Sequence, residues 1–488
     1  MGLWRGWGAV RLTMNTGRAG GRRAAALAML CTGAVGLMPA RAQDHLIVPP
    51  NPRPFSAPAQ DDPLLALART TTTESRFRAE VESAVRYNPL LEEARAGVRE
   101  AEAARVQARS ALFPTVDLTV DANRSFARNF SNDPGNIIER SRPEGRTDAT
   151  ASIRQRLLDF GATSSRINAG NARVTAAENA TLGYGQDVAI RTVTAWYSIL
   201  AQRLMTQAAE EYVGRQARLR QAVEKRIGQG FSARGELPRI DSSIANVQTR
   251  LASFRRDLAS SEAQYRALTG HDAPPDLARA PLPRTAADTP EALDALIARA
   301  PVVLRAEAEA RAARQDARAT RSERLPTISA GLDAGRYGVF ENPGDYDIRG
   351  RVIVRAQLGA GINARADQAT ARADAADAYA ARVRLEALRD AQMSLADAKG
   401  LEAQLTAAES GYIANRTARD VIATRFEASQ GTITDLLYAE DSYFYSITTF
   451  IQTLAERDVS RFVLLAKSGL LLDDLGIRVD PAERMAQP

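Results

Sequence analysis

Side chains that could carry covalent chemistry are scarce in this chain of 488 residues. Its one cysteine, Cys31, lies inside an apolar run, and its two histidines, His45 and His271, are far apart in sequence. Such a set supports neither a cysteine-based metal site nor a zinc or Ser-His-Asp site. No Walker or dinucleotide-binding glycine motif is present. The sequence therefore predicts no enzyme, no metal site and no cofactor, and what remains is the chemistry of carboxylates and guanidinium groups.

Two turns place charged residues at matched positions. Arg226 and Glu236 flank the first turn, and Arg425 and Asp435 flank the second, at an offset of 199 residues in both cases. Carboxylates repeated around a symmetric assembly would form a ring that attracts cations. The same residues could equally be solvated charges and helix caps. The sequence leaves both interpretations open.

A second group of charges lies on predicted strands. Asp117 and Asp121 alternate with apolar residues over 115–122, and Arg349, Arg351 and Arg355 do so over 348–358. An alternation with period two predicts strands with one apolar and one polar face. A soluble sandwich fits this pattern. A transmembrane barrel fits it too, with these charges lining a wet lumen, which the arginines would bias toward anions.

The elements that position these charges occur twice. Asn88-Pro89 opens a helix that ends at Pro114, and Ala300-Pro301 opens one, over about 291–324, that ends at Pro326. The spacing between the two prolines is the same in both copies, and a strand and a hairpin follow each time. Such repetition predicts a duplicated fold.

Long helices follow each hairpin. Residues 162–226 predict a nearly continuous helix of about 95 Å, which needs a coiled-coil partner. A helix over 236–268 returns after a turn at Gly228–Gly235, and the proline-free second copy turns near Gly431. Trp196-Tyr197, in the middle of the first long helix, is expected to pack in the core.

The N-terminus predicts export from the cytoplasm. Residues 1–42 combine arginines, an apolar run from Ala24 to Met38 and an Ala-Arg-Ala cleavage pattern, as in a secretory signal peptide. Six of the 64 basic residues lie there and no acid does, which leaves 58 basic against 58 acidic residues. The remaining chain is therefore neutral, and its composition gives no case for nucleic-acid binding.

Four membrane strands cannot close a barrel alone, because the smallest single-chain barrels have about eight. Unpaired strand edges are too costly in lipid, so copies of the chain must pair. Two copies give eight strands with a filled interior, and three give twelve with room for a lumen. We infer a pore-forming trimer, although the need to pair strand edges favours three copies over other ring sizes only weakly.

The order and spacing of several short motifs over about 77–477 resemble those of the TolC-like outer membrane factor family. This family comprises outer membrane efflux proteins and type I secretion channels. The motifs are Asn88-Pro89-Leu90, Leu112-Phe113-Pro114-Thr115-Val116, Leu157-Leu158-Asp159-Phe160-Gly161, Gly230…Glu236, Gly431…Asp435-Leu436-Leu437, and Ala455-Glu456-Arg457-Asp458 through Leu475-Gly476.

The resemblance implies a mainly helical protein with a β-barrel portion. Long antiparallel coiled coils would form a periplasmic tunnel, and four transmembrane strands per chain would close a twelve-stranded barrel as a homotrimer in the outer membrane lipid. It implies a passive, gated exit duct in the cell outer membrane. An adaptor protein and an inner-membrane pump of the ABC or RND type would be its partners. The lack of a lipobox leans slightly toward type I secretion over drug efflux. A structural periplasmic coiled-coil protein without a pore is the alternative.

The resemblance also implies roles for residues at the turns. Asp435 falls at the position of a gate-lining aspartate, and Glu236 matches the acid of the first repeat. The position one helical turn after Asp435 is Tyr438, so Glu440 and Asp441 are considered as substitutes. The family's gate-locking arginine would fall at a glycine, and Arg234 or Arg425 could replace it. Three turn glycines would dock the adaptor, besides shaping the turns, namely Gly230, Gly235 and Gly431.

The predicted domain order follows from the repeats. A signal peptide (1–42) and an N-terminal linker (43–76) precede the first repeat (77–270). An inter-repeat linker (271–290) leads to the second repeat (291–477), and a tail (478–488) ends the chain.

Overall fold

A computed structural model of the chain describes residues 62–482, apart from 69–70, 142, 231–232, 284–288 and 342–343. The predicted signal peptide, the first part of the predicted linker (43–61) and the end of the predicted tail (483–488) lie outside the described residues, as do Cys31 and His45.

Helices dominate the described residues, which also contain one four-stranded sheet. In chain order, the elements are α1 (Pro63–Leu67), α2 (Glu74–Tyr87), α3 (Pro89–Ser110), β1 (Thr115–Arg124), α4 (Ile137–Ser141), β2 (Gly145–Leu158), α5 (Ala162–Gly228), α6 (Glu236–Thr269), α7 (Pro290–Ile297), α8 (Pro301–Ser322), β3 (Thr327–Arg336), β4 (Tyr346–Arg355), α9 (Ala360–Glu427), α10 (Ile433–Lys467) and α11 (Leu471–Asp474). The prediction of a mainly helical chain with four strands is confirmed.

Proline divides the helix that precedes each hairpin. Asn88 and Ala300 have extended backbones, with ψ of 123° and 138°. A proline disfavours the helical conformation in the residue before it, so α2 and α7 end before these residues. The prediction of one helix over 291–324 is therefore wrong, because α7 and α8 are separate helices. Helix α2 also begins inside the predicted linker of 43–76, and α1 lies wholly within it.

The four strands form an antiparallel sheet in the order β1-β2-β3-β4. The register pairs Val116 with Ile153, and Ile153 in turn with Leu332. Because directly paired residues share a face of a sheet, the apolar residues of successive strands line up on one face and the charged residues on the other. The return strand β4 ends at Arg355 rather than at the predicted 358.

The helical body separates the sheet from the turns by a long distance. Helices α5 and α9 have 67 and 68 residues, or about 100 Å at about 1.5 Å per residue. Helix α5 starts directly after β2 and ends at the first turn, and α9 starts after β4 and ends at the second. The sheet and the two turns therefore lie at opposite ends of the body.

Aromatic packing fixes the body where the two repeats meet. Trp196 and Tyr197 are buried, and the Trp196 ring packs edge-on against Phe77 at 5.5 Å. Phe77 also contacts Phe462 of α10. The Trp196 indole donates to the carbonyl of Ala278 at 2.9 Å. These contacts confirm that Trp196-Tyr197 belongs to the core.

Candidate functional site

The two helix turns lie side by side at one end of the helical body. Val223 and Ile240 of the first helix pair share an apolar cluster with Phe426, Ile433 and Leu436 of the second. The turns were matched in sequence by their offset alone, and the structure brings them into contact. We call the segments 223–240 and 426–436 the tips.

Two arginines of the first tip join it to the second. Arg226 donates to Ser429 Oγ at 2.8 Å and to the carbonyl of Phe426 at 3.4 Å, and its guanidinium lies 5.1 Å from the centre of the Phe426 ring. Arg239 donates to Thr434 Oγ1 at 2.6 Å. We call these contacts the tip clasp. Sequence reasoning used Arg226 only to align the turns and did not consider Arg239.

Asp435 takes part in the start of α10. Thr432 is the N-cap residue, and its hydroxyl accepts from the Asp435 backbone N–H at 3.1 Å. The same hydroxyl donates to Asp435 Oδ2 at 2.7 Å. A carboxylate in the first turn also favours the positive end of the helix dipole. The helix-cap role of Asp435 is thus present in the single chain, and the residue remains exposed.

The other predicted gate residues are not gathered around Asp435. Tyr438 is exposed on α10, and Glu236 begins α6 with one carboxylate oxygen shielded from solvent and without a hydrogen-bond partner among the described residues. Within the described part of the chain, no hydrogen bond or ion pair joins Arg234 or Arg425 to either acid. Pairing of these arginines with the acids therefore stays a prediction for the assembled protein.

Glu440 is buried rather than exposed at a pore. Its carboxylate lies 3.1 Å from Arg215 and 3.7 Å from Arg419, between α5, α9 and α10. Asp441 is exposed and accepts from the Tyr212 hydroxyl at 3.0 Å. Glu440 is therefore wrong as a substitute lining residue, whereas the exposure of Asp441 leaves that role open for it.

The three turn glycines differ in backbone conformation and in the space around them. Gly230 follows Gln229, the C-cap residue of α5, with φ of +77°, a left-handed conformation that favours glycine. A Cβ at Gly431 would lie 3.4 Å from the backbone nitrogen of Phe426, which is close van der Waals contact with the end of α9. Gly235 has an ordinary helical backbone and open space around it. A docking role for these glycines stays a prediction.

The predicted lumen residues lie on the polar face of the sheet, where three of the five form ion pairs. Asp117 pairs with Arg154, and Arg351 pairs with Asp333 at 2.8 Å. Arg349 pairs with Asp347 of its own strand.

The remaining lumen candidates lie in the same sheet, with Arg355 opposite Thr327 and Asp121 opposite Asp148. Because two of the three predicted arginines have carboxylate partners, the bias toward anions is weaker than their number suggests.

No group of side chains within the described residues is arranged to bind a metal ion. His271 Nε2 lies 3.4 Å from a Glu80 carboxylate oxygen, which also accepts from the Tyr265 hydroxyl at 2.6 Å. This histidine belongs to a structural contact between α2 and the segment that follows α6. No helix in the described part of the chain is both long and apolar enough to cross a membrane.

Comparisons with known proteins agree with this architecture. The sequence model described as outer membrane efflux protein matches residues 81–271 and 292–461. No curated protein sequence matches the chain. The fold is similar to that of the outer membrane protein VceC from Vibrio cholerae (17% identity, TM-score 0.70, 82% of this chain and 96% of that one).

It is also similar to the CmeC outer membrane channel of Campylobacter jejuni (13% identity, TM-score 0.72, 82% of this chain and 89% of that one). A membrane protein from Pseudomonas aeruginosa is a further similar structure (20% identity, TM-score 0.73, 81% of this chain and 94% of that one). At these identities the likeness concerns the fold.

Proposed function

Because the chain belongs to the outer membrane efflux protein family, we propose that it is the outer-membrane exit duct of a tripartite export system. Family membership confirms two predictions, that the protein lies in the cell outer membrane and that it is not an enzyme. The trimer, the gate and the export partners remain parts of the proposal.

The single observation that carries the proposal is the four-stranded sheet. Strands β1 and β4 form its edges, and apolar residues of its outer strands are exposed, with Leu118 77% and Val352 69% accessible. An open edge in lipid leaves backbone groups without partners. Pairing β1 of one copy with β4 of the next removes both edges. Three copies give twelve strands around a lumen lined by the polar face.

The helical body then continues the lumen into the periplasm. Its length of about 100 Å suits a tunnel that meets an adaptor protein at the tips and an inner-membrane pump beyond. The duct is passive in this scheme, and the pump supplies the energy. Drug efflux and type I secretion both fit, because the charges on the polar face are largely paired and favour neither class of substrate.

The test is single-channel conductance of the purified protein in planar bilayers, together with its oligomeric state. We expect a trimer with a small, cation-selective conductance. Asp435→Ala should raise the conductance or reduce the selectivity, because it removes a carboxylate ring. Asp272→Ala removes an exposed acid at the far end of α6 and serves as the control. Absence of both conductance and trimer would favour the structural coiled-coil alternative.

We also expect the tip clasp to hold the duct closed. Each of its hydrogen bonds contributes about 1 kcal/mol, so the Arg226→Ala, Arg239→Ala double variant should raise the open probability by about tenfold or more. Arg234→Ala, in the first tip, and Arg425→Ala, one residue before the second, are matched controls. If the controls open the channel and the double variant does not, the sequence-based assignment is right and the clasp is not the lock.

A further inference from the structure

The segment before α2 is seated on the helical body rather than extending freely. Its described part starts at Asp62, whose side chain is 2% exposed, and continues through α1. The sequence predicts a linker over 43–76, which includes this region. A buried carboxylate in a linker needs a partner, and the partners lie in the second repeat.

Asp62 makes two kinds of contact at once. Its Oδ1 accepts from the backbone N–H groups of Leu64 at 2.8 Å and Leu65 at 3.2 Å, which caps α1. Its Oδ2 accepts from the Tyr412 hydroxyl at 2.7 Å and from Arg416, both on α9. Asp62 therefore both caps α1 and holds the segment against α9.

The two side chains of α9 that contact Asp62 are also buried. The Arg416 side chain is 4% exposed, so its charge depends on Asp62 for compensation. The Tyr412 hydroxyl also lies 3.4 Å from that of Tyr443. Burial raises the pKa of Tyr443 to about 12, with the Tyr412 hydroxyl and Arg419 opposing the shift. Both tyrosines stay protonated at neutral pH, because burial also raises the pKa of Tyr412.

The segment joins both repeats close to the tips. Leu64 belongs to an apolar cluster with Tyr212 of α5, Val247 of α6, Tyr412 of α9 and Phe444 of α10. Arg416 precedes the end of α9 by eleven residues, or about 17 Å of helix. The other end of the segment is held by Arg279 of the inter-repeat linker, which donates to the carbonyls of Leu67 and Ala68.

From these contacts we propose that residues 62–68, the N-terminal strap, are a latch that holds the two helix pairs together above the tips. Moving α9 away from α5 and α6 would pull Arg416 off Asp62 and leave a buried charge without its partner, so opening and strap release are coupled. The latch rests on the proposed duct function. The seating of the strap on α9 does not depend on that function.

The test compares Asp62→Asn with wild type in planar bilayers. We expect the open probability to rise about tenfold or more. The double variant Asp62→Asn, Arg416→Met should return toward wild type, because asparagine at position 62 can still cap α1 and no buried charge is left without its partner; a fold defect would not be reversed in this way. Asp276→Asn, which breaks the exposed ion pair with Arg76, is the matched control and should conduct as wild type.

A cross-link makes the test independent of stability. No cysteine follows Cys31, so Asp62→Cys with Arg416→Cys can be bridged by a short thiol-specific reagent in the Arg226→Ala, Arg239→Ala background, which is expected to open the duct. The bridged protein should stay closed, and the unbridged one should open. Opening of the bridged protein, or wild-type conductance of Asp62→Asn, would overturn the latch.

Failure of the duct itself is distinguishable from failure of the latch. If no variant conducts, limited proteolysis still reports the seating of the strap. Cleavage within residues 62–73 should be at least tenfold faster in Asp62→Asn than in Asp276→Asn. Equal rates would overturn the seating of the strap as well.

Discussion

Replacing Asp458 by alanine is expected to lower the free energy of unfolding by about 3–5 kcal/mol. Asp458 is fully buried and accepts from Arg279 at 2.7 and 3.1 Å, and Arg279 is itself 3% exposed. The substitution would leave a buried guanidinium without its carboxylate. Because Arg279 also holds the strap and the inter-repeat linker, the loss should loosen the junction between the repeats.

The measurement is denaturant or thermal unfolding of the detergent-solubilised protein, followed by circular dichroism. Asp276→Ala is the control, since its ion pair with Arg76 is exposed and worth about 0–1 kcal/mol. The double variant Arg279→Met, Asp458→Leu should recover part of the stability, because it removes the buried guanidinium together with its carboxylate, while Arg457, which lies 3.3 Å from Asp458, keeps Glu402 at 3.9 Å. Equal effects of Asp458→Ala and Asp276→Ala would contradict the role of the buried pair.

Replacing Leu118 by arginine is expected to destabilise the membrane-inserted protein by about 2–4 kcal/mol if Leu118 lies near the bilayer midplane. Leu118 is on the apolar face of β1 and is 77% exposed in the single chain, so its proposed environment is lipid. The neighbouring substitution Thr119→Arg places the same charge on the polar face, opposite Thr150. Because that face would line a wet lumen, we expect little loss of stability there.

The stability of the two variants is measured from their folding into lipid vesicles across a urea series. Their trimer content is a second readout. The two substitutions differ by one position and carry the same charge, so β-propensity and net charge are nearly matched. A larger loss of stability from Thr119→Arg than from Leu118→Arg would contradict the assignment of the apolar face to lipid and of the polar face to the lumen. Equal, small effects would argue that the sheet does not enter a bilayer.

The sequence alone determined the features that depend on local periodicity. Alternation over 115–122 defined the faces of β1, and the repeated proline spacing defined the duplicated order of elements. Proline acts on its immediate neighbours, so the ends of α3 and α8 followed directly. The breaks at Asn88 and Ala300 follow from the same rule, although the helix over 291–324 was predicted without its break.

Only the tertiary structure decided which charged groups meet. Asp435 was identified from its place in a motif, yet its carboxylate accepts from the nearby Thr432 hydroxyl. Glu440 was expected to be an exposed substitute, but the rotation of α10 turns it toward Arg215. Asp62 and Arg416 are 354 residues apart and meet only because α1 docks on α9. Periodicity fixes the face of a helix that is apolar, whereas partners across helices depend on how those helices pack.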